Sequence, residues 1–215
     1  SSDFSLPETA FSHSSGFSAK SSTEFSTGFS SSYKYNKPST GNYSNSGYSG
    51  AFGGGFRTST SGVLVNGLQN SLFISNYTTT QNGDAQGGAL ENQGTIGKAT
   101  VNGDIGGIEN AGFYNNYAES VDGNARGGAI NNTGVIGNLD ADGNLVGGII
   151  NTVFTGNYAK STNGEAHGGA IYTSSDLNLI AQDNYTFDIS GNWVEDVNGT
   201  RQEAIYVATD TSNMG

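Results

Sequence analysis

The chain has no cysteine, two prolines, one methionine and one tryptophan among its 215 residues. Without cysteine there is no disulfide framework and no cysteine-ligated zinc. That absence is compatible with bacterial secreted proteins, which cross the periplasm unfolded. Charged residues are scarce at 13% and hydrophobic residues reach only 33%. Ser, Thr, Asn and 34 glycines fill the gap. None of these favours a helix interior, so the composition excludes a helical globule. It suits many short strands joined by many turns. No apolar run approaches the ~20 residues needed to span a bilayer. The chain opens SSDFSLPETAF, with neither a basic start nor an apolar core, so no signal peptide is legible there. With no initiator methionine either, it reads as a mature or trimmed piece of something longer.

Positive charge is short as well. The formal net charge is −11, and its placement is uneven. Residues 1–56 carry three acids and three bases, so the whole excess lies in residues 57–215. An acidic body excludes nucleic acid and anionic membrane surfaces as partners, since both demand Lys/Arg patches.

Two grammars divide the chain. Residues 1–56 are low in complexity, with 11 aromatics set singly in Ser and Gly. They show neither helical nor strand periodicity, and the expectation is a disordered leader or extended chain lying on a neighbour. Within them, LPETA (6–10) has the form of a sortase sorting signal. No apolar segment and basic tail follow it, and we read it as incidental.

Residues 57–215 are repetitive. FISNY (73–77), FYNNY (113–117) and FTGNY (154–158) share Phe-x-x-Asn-Tyr. GGAL (87–90), GGAI (127–130) and GGAI (168–171) follow at constant offset. ISGNW (189–193) with QEAI (202–205) is a decayed fourth copy. Gly-Gly also opens at 106 and 147, which halves the period to about 20 residues. A repeat of that size, rich in β-branched and aromatic residues and broken by Gly and Asn, predicts an all-β, right-handed parallel β-helix of ~20-residue coils. Seven or eight such coils would make a rod roughly 35 Å long.

The repeated residues read as scaffold. Phe73, Phe113 and Phe154 are expected as stacked core aromatics, one above another in every second coil. Asn76, Asn116 and Asn157 are expected to form turns and to bond to their equivalents above and below. The pairs Gly87–Gly88, Gly127–Gly128 and Gly168–Gly169 occur too often to be a phosphate loop, and no helix or Lys-Ser/Thr follows them. They predict positive φ or close approach between coils.

The variable positions lie between Tyr and Gly-Gly: TTTQNGDAQ (78–86), AESVDGNAR (118–126) and AKSTNGEAH (159–167). Each holds Asn-Gly or Asp-Gly, a tight-turn signal. These segments are expected to be loops stacked along one edge of the rod. Asp84, Gln86, Glu119, Asp122, Arg126, Lys160, Glu165 and His167 are the candidate binding residues. Arg126, His167 and Glu165 also form a thin acid–base constellation, two coils apart on a 20-residue coil. That arrangement keeps a carbohydrate-active enzyme, a polysaccharide lyase or tailspike-like depolymerase, as the alternative. No catalytic set, cofactor or metal site is expected. DADGN (140–144) and VDGN (121–124) lack the spaced ligands of a calcium loop.

Phe73/Asn76 with GGAL, Phe113/Asn116 with GGAI and Phe154/Asn157 with GGAI resemble the repeats of autotransporter passenger domains. They are similar to chlamydial-type polymorphic membrane protein adhesins over about residues 62–207. The resemblance implies a secreted rod displayed on the bacterial outer-membrane surface. It further implies adhesion to a host-cell or bacterial surface protein or glycan. The resemblance also implies a signal peptide upstream and an outer-membrane barrel downstream, neither of which is in this sequence.

Overall fold

The computed structural model describes residues 39–47, 50–64, 67–97, 106–182 and 187–208. These residues form 28 short strands and no helix. Each coil runs through as many as six walls. In the second coil they are Leu72–Ile74, Tyr77–Thr80, Ala85–Gln86, Leu90–Asn92, Thr95–Ile96 and Ile108–Glu109. Each wall pairs in parallel with its equivalents in neighbouring coils. The architecture is a parallel β-helix.

The coil is twice the expected size. Phe73 lies opposite Phe113, and Phe113 opposite Phe154, as direct register partners. One coil is therefore the full 40-residue unit, and Phe residues stack in every coil rather than every second one. The halved period arises because two different corners of one coil use the same glycine device. A Cβ on Gly88 would lie 2.2 Å from the Gly128 carbonyl, and one on Gly107 would lie 2.1 Å from the Gly148 carbonyl. Both corners need bare backbone where one coil crosses the next. The asparagine ladder has five rungs, Asn42, Asn76, Asn116, Asn157 and Asn192. Five coils at ~4.8 Å spacing span about 19 Å, roughly half the expected length.

The solenoid also begins earlier than residue 57. Ser39–Thr40, Tyr43–Ser46, Ala51–Phe52 and Phe56–Thr58 pair with the second coil as its first neighbour. This low-complexity stretch needs no core of its own, because the second coil supplies a strand edge and an apolar floor; Ala51 is buried there. The part of the expected leader within residues 1–38 lies outside the described residues.

The core follows from the pattern. Phe73, Phe113 and Phe154 stack with ring centroids 4.7 and 4.9 Å apart and planes within 6°. Leu90, Ile130 and Ile171 form a second inward column, and Ile96 with Ile136 and Ile108 with Ile149 form two more. Burying each such side chain stabilises by about 1.5–3 kcal/mol. Asn76, Asn116, Asn157 and Asn192 are buried, and Asn42 at the end of the ladder is exposed. Asn116 Nδ2 donates to Asn157 Oδ1 at 2.9 Å and to the Phe73 carbonyl at 3.0 Å. The bonding half of the asparagine expectation holds; the turn half does not. The left-handed residue is the one before each ladder asparagine: Ser75, Asn115 and Gly156, with φ of 54°, 53° and 69°.

The largest length differences fall at one corner. The chain goes from Leu64 to Leu68 in the first coil, but from Ile96 to Ile108 and from Ile136 to Ile149 in the next two. In the third coil the extra residues form a hairpin, Asn138–Leu139 against Leu145–Val146. The walls on either side keep their register.

Candidate functional site

Between the ladder asparagine and the glycine pair, the chain builds a second, smaller interior. The wall Tyr117–Ser120 runs out, a tip turns at 121–124, and Ala125–Arg126 returns. Alternation in the first wall sends Tyr117 and Glu119 outward and buries Ala118 and Ser120. Ala125, Ala159, Ala166 and Val194 cluster between the two walls, apart from the main core. Only small residues fit there, so the two sheets sit close. The segments expected to be loops are thus mostly strand, and together they form a lobe along the rod. The physical reason is that each has the adjacent coil as a pairing template, which an isolated Asn-Gly hairpin lacks.

The tip is bonded from coil to coil. Ser120 Oγ donates to the Gly83 carbonyl at 2.7 Å and accepts from Gly123 N at 2.8 Å. Ser161 repeats this with the Gly123 carbonyl and Gly164 N at 2.6 and 2.9 Å. Asn163 Nδ2 donates to Asp122 Oδ1 at 2.8 Å. Asp84 Oδ1 accepts from Asn124 N at 2.8 Å.

One outer face of the lobe carries a stack of rings. Tyr43, Tyr77, Tyr117, Tyr158 and Trp193 lie one on another with centroids 5.3, 4.8, 4.9 and 4.4 Å apart. Planes agree within 10°. Inside the stack the rings cover one another's faces and turn their edges to solvent, so its inner rungs are poorly shaped to stack a sugar. Beside it runs the rung series Thr79, Glu119, Lys160 and Glu195. Tyr158 Oη donates to Glu119 Oε1 at 2.8 Å, and Lys160 Nζ lies 3.0 Å from Glu195 Oε1. Burial, reinforced by the Glu119 carboxylate, pushes the Tyr158 hydroxyl far above the usual phenol range. Burial raises Tyr117 in the same direction.

The other outer face carries Gln86, Arg126 and His167 as consecutive rungs. Each reaches diagonally to the body wall of the next coil. Gln86 Oε1 accepts from Asn131 Nδ2 at 3.0 Å. Arg126 lies over Tyr172 at 5.5 Å, and His167 stacks on Tyr206 at 4.0 Å. Arg126 also pairs with Asp84 at 2.8 Å, and His167 sits 3.4 Å from both Glu165 and Glu203. Arg126 and His167 are thus in adjacent coils, not two coils apart, and their partners belong to the solenoid itself. Among the described residues no group of three or more His, Cys, Asp or Glu could hold a metal ion.

All eight candidate residues stand on the lobe, but three features escaped the sequence reading. The first is the ring ladder, whose signal was the tyrosine after each asparagine. The second is Glu91, fully buried under the Gln86 face and bonded to Asn131 Nδ2 at 2.7 Å and Gln93 Nε2 at 3.1 Å. The third closes the end of the lobe, where side chains replace the backbone partners of a further coil. Asp196 Oδ2 accepts from Ala166 N, Glu203 Oε1 accepts from Gly168 N, and Arg201 Nη2 donates to the Ala166 carbonyl. Burial works to raise the Asp196 carboxyl, but the bonds from Arg201, Asn198 N and Ala166 N hold it below its ordinary value.

Comparison of the chain with protein-family models, curated proteins and solved structures finds no match.

Proposed function

We propose that the chain is a piece of a secreted or surface-displayed bacterial adhesin of the autotransporter type. Its rod presents the lobe to a host-cell or bacterial surface protein or glycan. The supporting observation is the contrast between the two sides of one lobe wall. Inward rungs stay small and apolar or hydroxylic: Thr78, Ala118, Ala159 and Val194. Outward rungs change in kind and sign: Thr79, Glu119, Lys160 and Glu195. A surface whose frame is held while its charge pattern varies suits recognition, because charge complementarity sets partner choice. The repeat motifs that resemble polymorphic membrane protein adhesins support the same reading.

The test replaces Glu119, Asp122, Lys160 and Glu165 together by Ser, leaving the inward rungs intact. Attachment to cultured host cells and to glycan arrays is measured beside the far-ultraviolet circular dichroism of the variant. The expected outcome is lost attachment with an unchanged strand spectrum. Attachment equal to that of the parent chain excludes the lobe as the contact surface.

A further inference from the structure

With no cysteine, the chain has no disulfide to tie its coils together. Its tyrosines stand in an order that permits another covalent tie. Tyr43, Tyr77, Tyr117 and Tyr158 are register partners on one face, ring upon ring. The inner rings are each held between two others. Tyr43 differs. Among the described residues it stacks on Tyr77 alone, and it is 59% exposed. It stands on the terminal strand of its sheet. Its contact is also the loosest between tyrosines of this ladder, with centroids 5.3 Å apart and planes 10° from parallel. Tyr43 therefore has an oxidant-accessible ring, a partner already in place and room to tilt.

We infer that Tyr43 and Tyr77 form a site for oxidative tyrosine–tyrosine coupling, which ties the first coil to the second through a carbon–carbon bond. The oxidant is hydrogen peroxide acting through a haem peroxidase. One electron and one proton leave each phenol, giving two phenoxyl radicals. Hydrogen peroxide takes up the two electrons and two protons and departs as two waters. The radicals pair at the ring carbons ortho to oxygen. The hydrogens on the joined carbons then move to the oxygens and restore both phenols. Proximity favours this pair over collision between molecules, since the second ring is held in contact before the first is oxidised. The Tyr158 ring is poorly placed for the same reaction. It lies between Tyr117 and Trp193, and its hydroxyl is committed to Glu119.

The test treats the full chain, at dilute concentration, with a haem peroxidase and hydrogen peroxide. Coupling is read by dityrosine fluorescence in the monomer fraction and by mass spectrometry after tryptic cleavage. Arg57 lies between the two tyrosines, so cleavage there places them on separate peptides. The expected product joins those two peptides and is lighter than their sum by two hydrogens. Y43F and Y77F each abolish it while keeping a ring in the stack, and circular dichroism checks that each still folds. Y114F, which alters a tyrosine outside the ladder, leaves the product in place. Coupling confined to Tyr33, Tyr35 or Tyr48, coupling only between molecules, or a product that survives in Y43F overturns the inference. None of these results depends on what the lobe binds.

Discussion

Replacing Asn157 by Ala tests how far the buried asparagine ladder holds the rod together. Asn157 is fully buried. Its Oδ1 accepts from Asn116 N and Asn116 Nδ2, both at 2.9 Å. Its Nδ2 donates to the Phe113 carbonyl at 2.9 Å and to Asn192 Oδ1 at 2.8 Å. Two partners retain other bonds after truncation. Asn116 Nδ2 keeps the Phe73 carbonyl, and Asn192 Oδ1 keeps Asn157 N. Of the other two, the Asn116 N–H is left without its partner, whereas the Phe113 carbonyl stays in the parallel pairing of Gly112–Tyr114 with Val153–Thr155. A buried polar group left unpaired costs about 1–3 kcal/mol and the lost amide bonds add about 1 kcal/mol, so the expected loss is about 2–4 kcal/mol. That is a large share of the 5–15 kcal/mol typical of a whole domain. The control is Asn42→Ala at the exposed end of the ladder, expected to cost about 1 kcal/mol. Urea unfolding followed by Trp193 fluorescence reads both, because Trp193 stacks on Tyr158 next to the altered rung. Equal midpoints for Asn157→Ala and Asn42→Ala would refute the argument that burial makes the inner rungs indispensable.

Other consequences are equally direct. Gly128→Ala drives a Cβ to within 2.2 Å of the Gly169 and Tyr158 carbonyls, and should cost more than about 4 kcal/mol. Gly143→Ala, at φ +83° with nothing within 4 Å, should cost only about 1–2 kcal/mol, and thermal melts separate the two. Thr78 has a buried hydroxyl without a hydrogen-bond partner where the next coils have Ala118 and Ala159. Thr78→Ala should therefore stabilise by about 1 kcal/mol, and a lower urea midpoint would contradict this. Burial raises the Glu91 carboxyl above its ordinary value of 4.5, despite bonds from Asn131 and Gln93 and the nearby Arg57 and Arg126. The folded state therefore prefers the neutral acid, and the stability this gives is lost as pH rises through the folded value. Glu91→Gln should be more stable than the parent at pH 7 and should lose that advantage as pH falls through the raised folded value toward 4.5. A constant difference across that range would show that Glu91 charge is not responsible.

The strand-rich class was legible because Phe-x-x-Asn and Gly-Gly-Ala recur at fixed offset, and a recurring offset is what stacking requires. Coil size was not, because Gly87–Gly88 and Gly106–Gly107 solve the same steric problem at different corners, and sequence records the device rather than the corner. The first coil was hidden for another reason. Residues 39–56 fold by borrowing an edge from residues 73–92, and a borrowed partner leaves little periodicity in the borrower. At the lobe, the positions where charge varies, from Asp84 to His167, lie on its outward walls and tips. The alternation that made them strands was also present, in Ala118 and Ser120 or Ala159 and Ser161, but Asn-Gly drew the reading toward loops. Glu91 gave no signal at all: an acid beside Gly-Gly-Ala-Leu looks like any surface residue until the lobe is folded over it.

The corner after Leu64, Ile96 and Ile136 has a practical meaning. Neighbouring walls stay in step although the chain spends different numbers of residues getting round it. In the third coil the surplus simply pairs with itself and points away. That makes it a natural graft point. Peptides can be spliced between Asn138 and Val146 with both flanking strands left as they are. The rod thus gathers most of its tolerance for extra chain at this one corner, a division that leaves room for new appendages without a new fold.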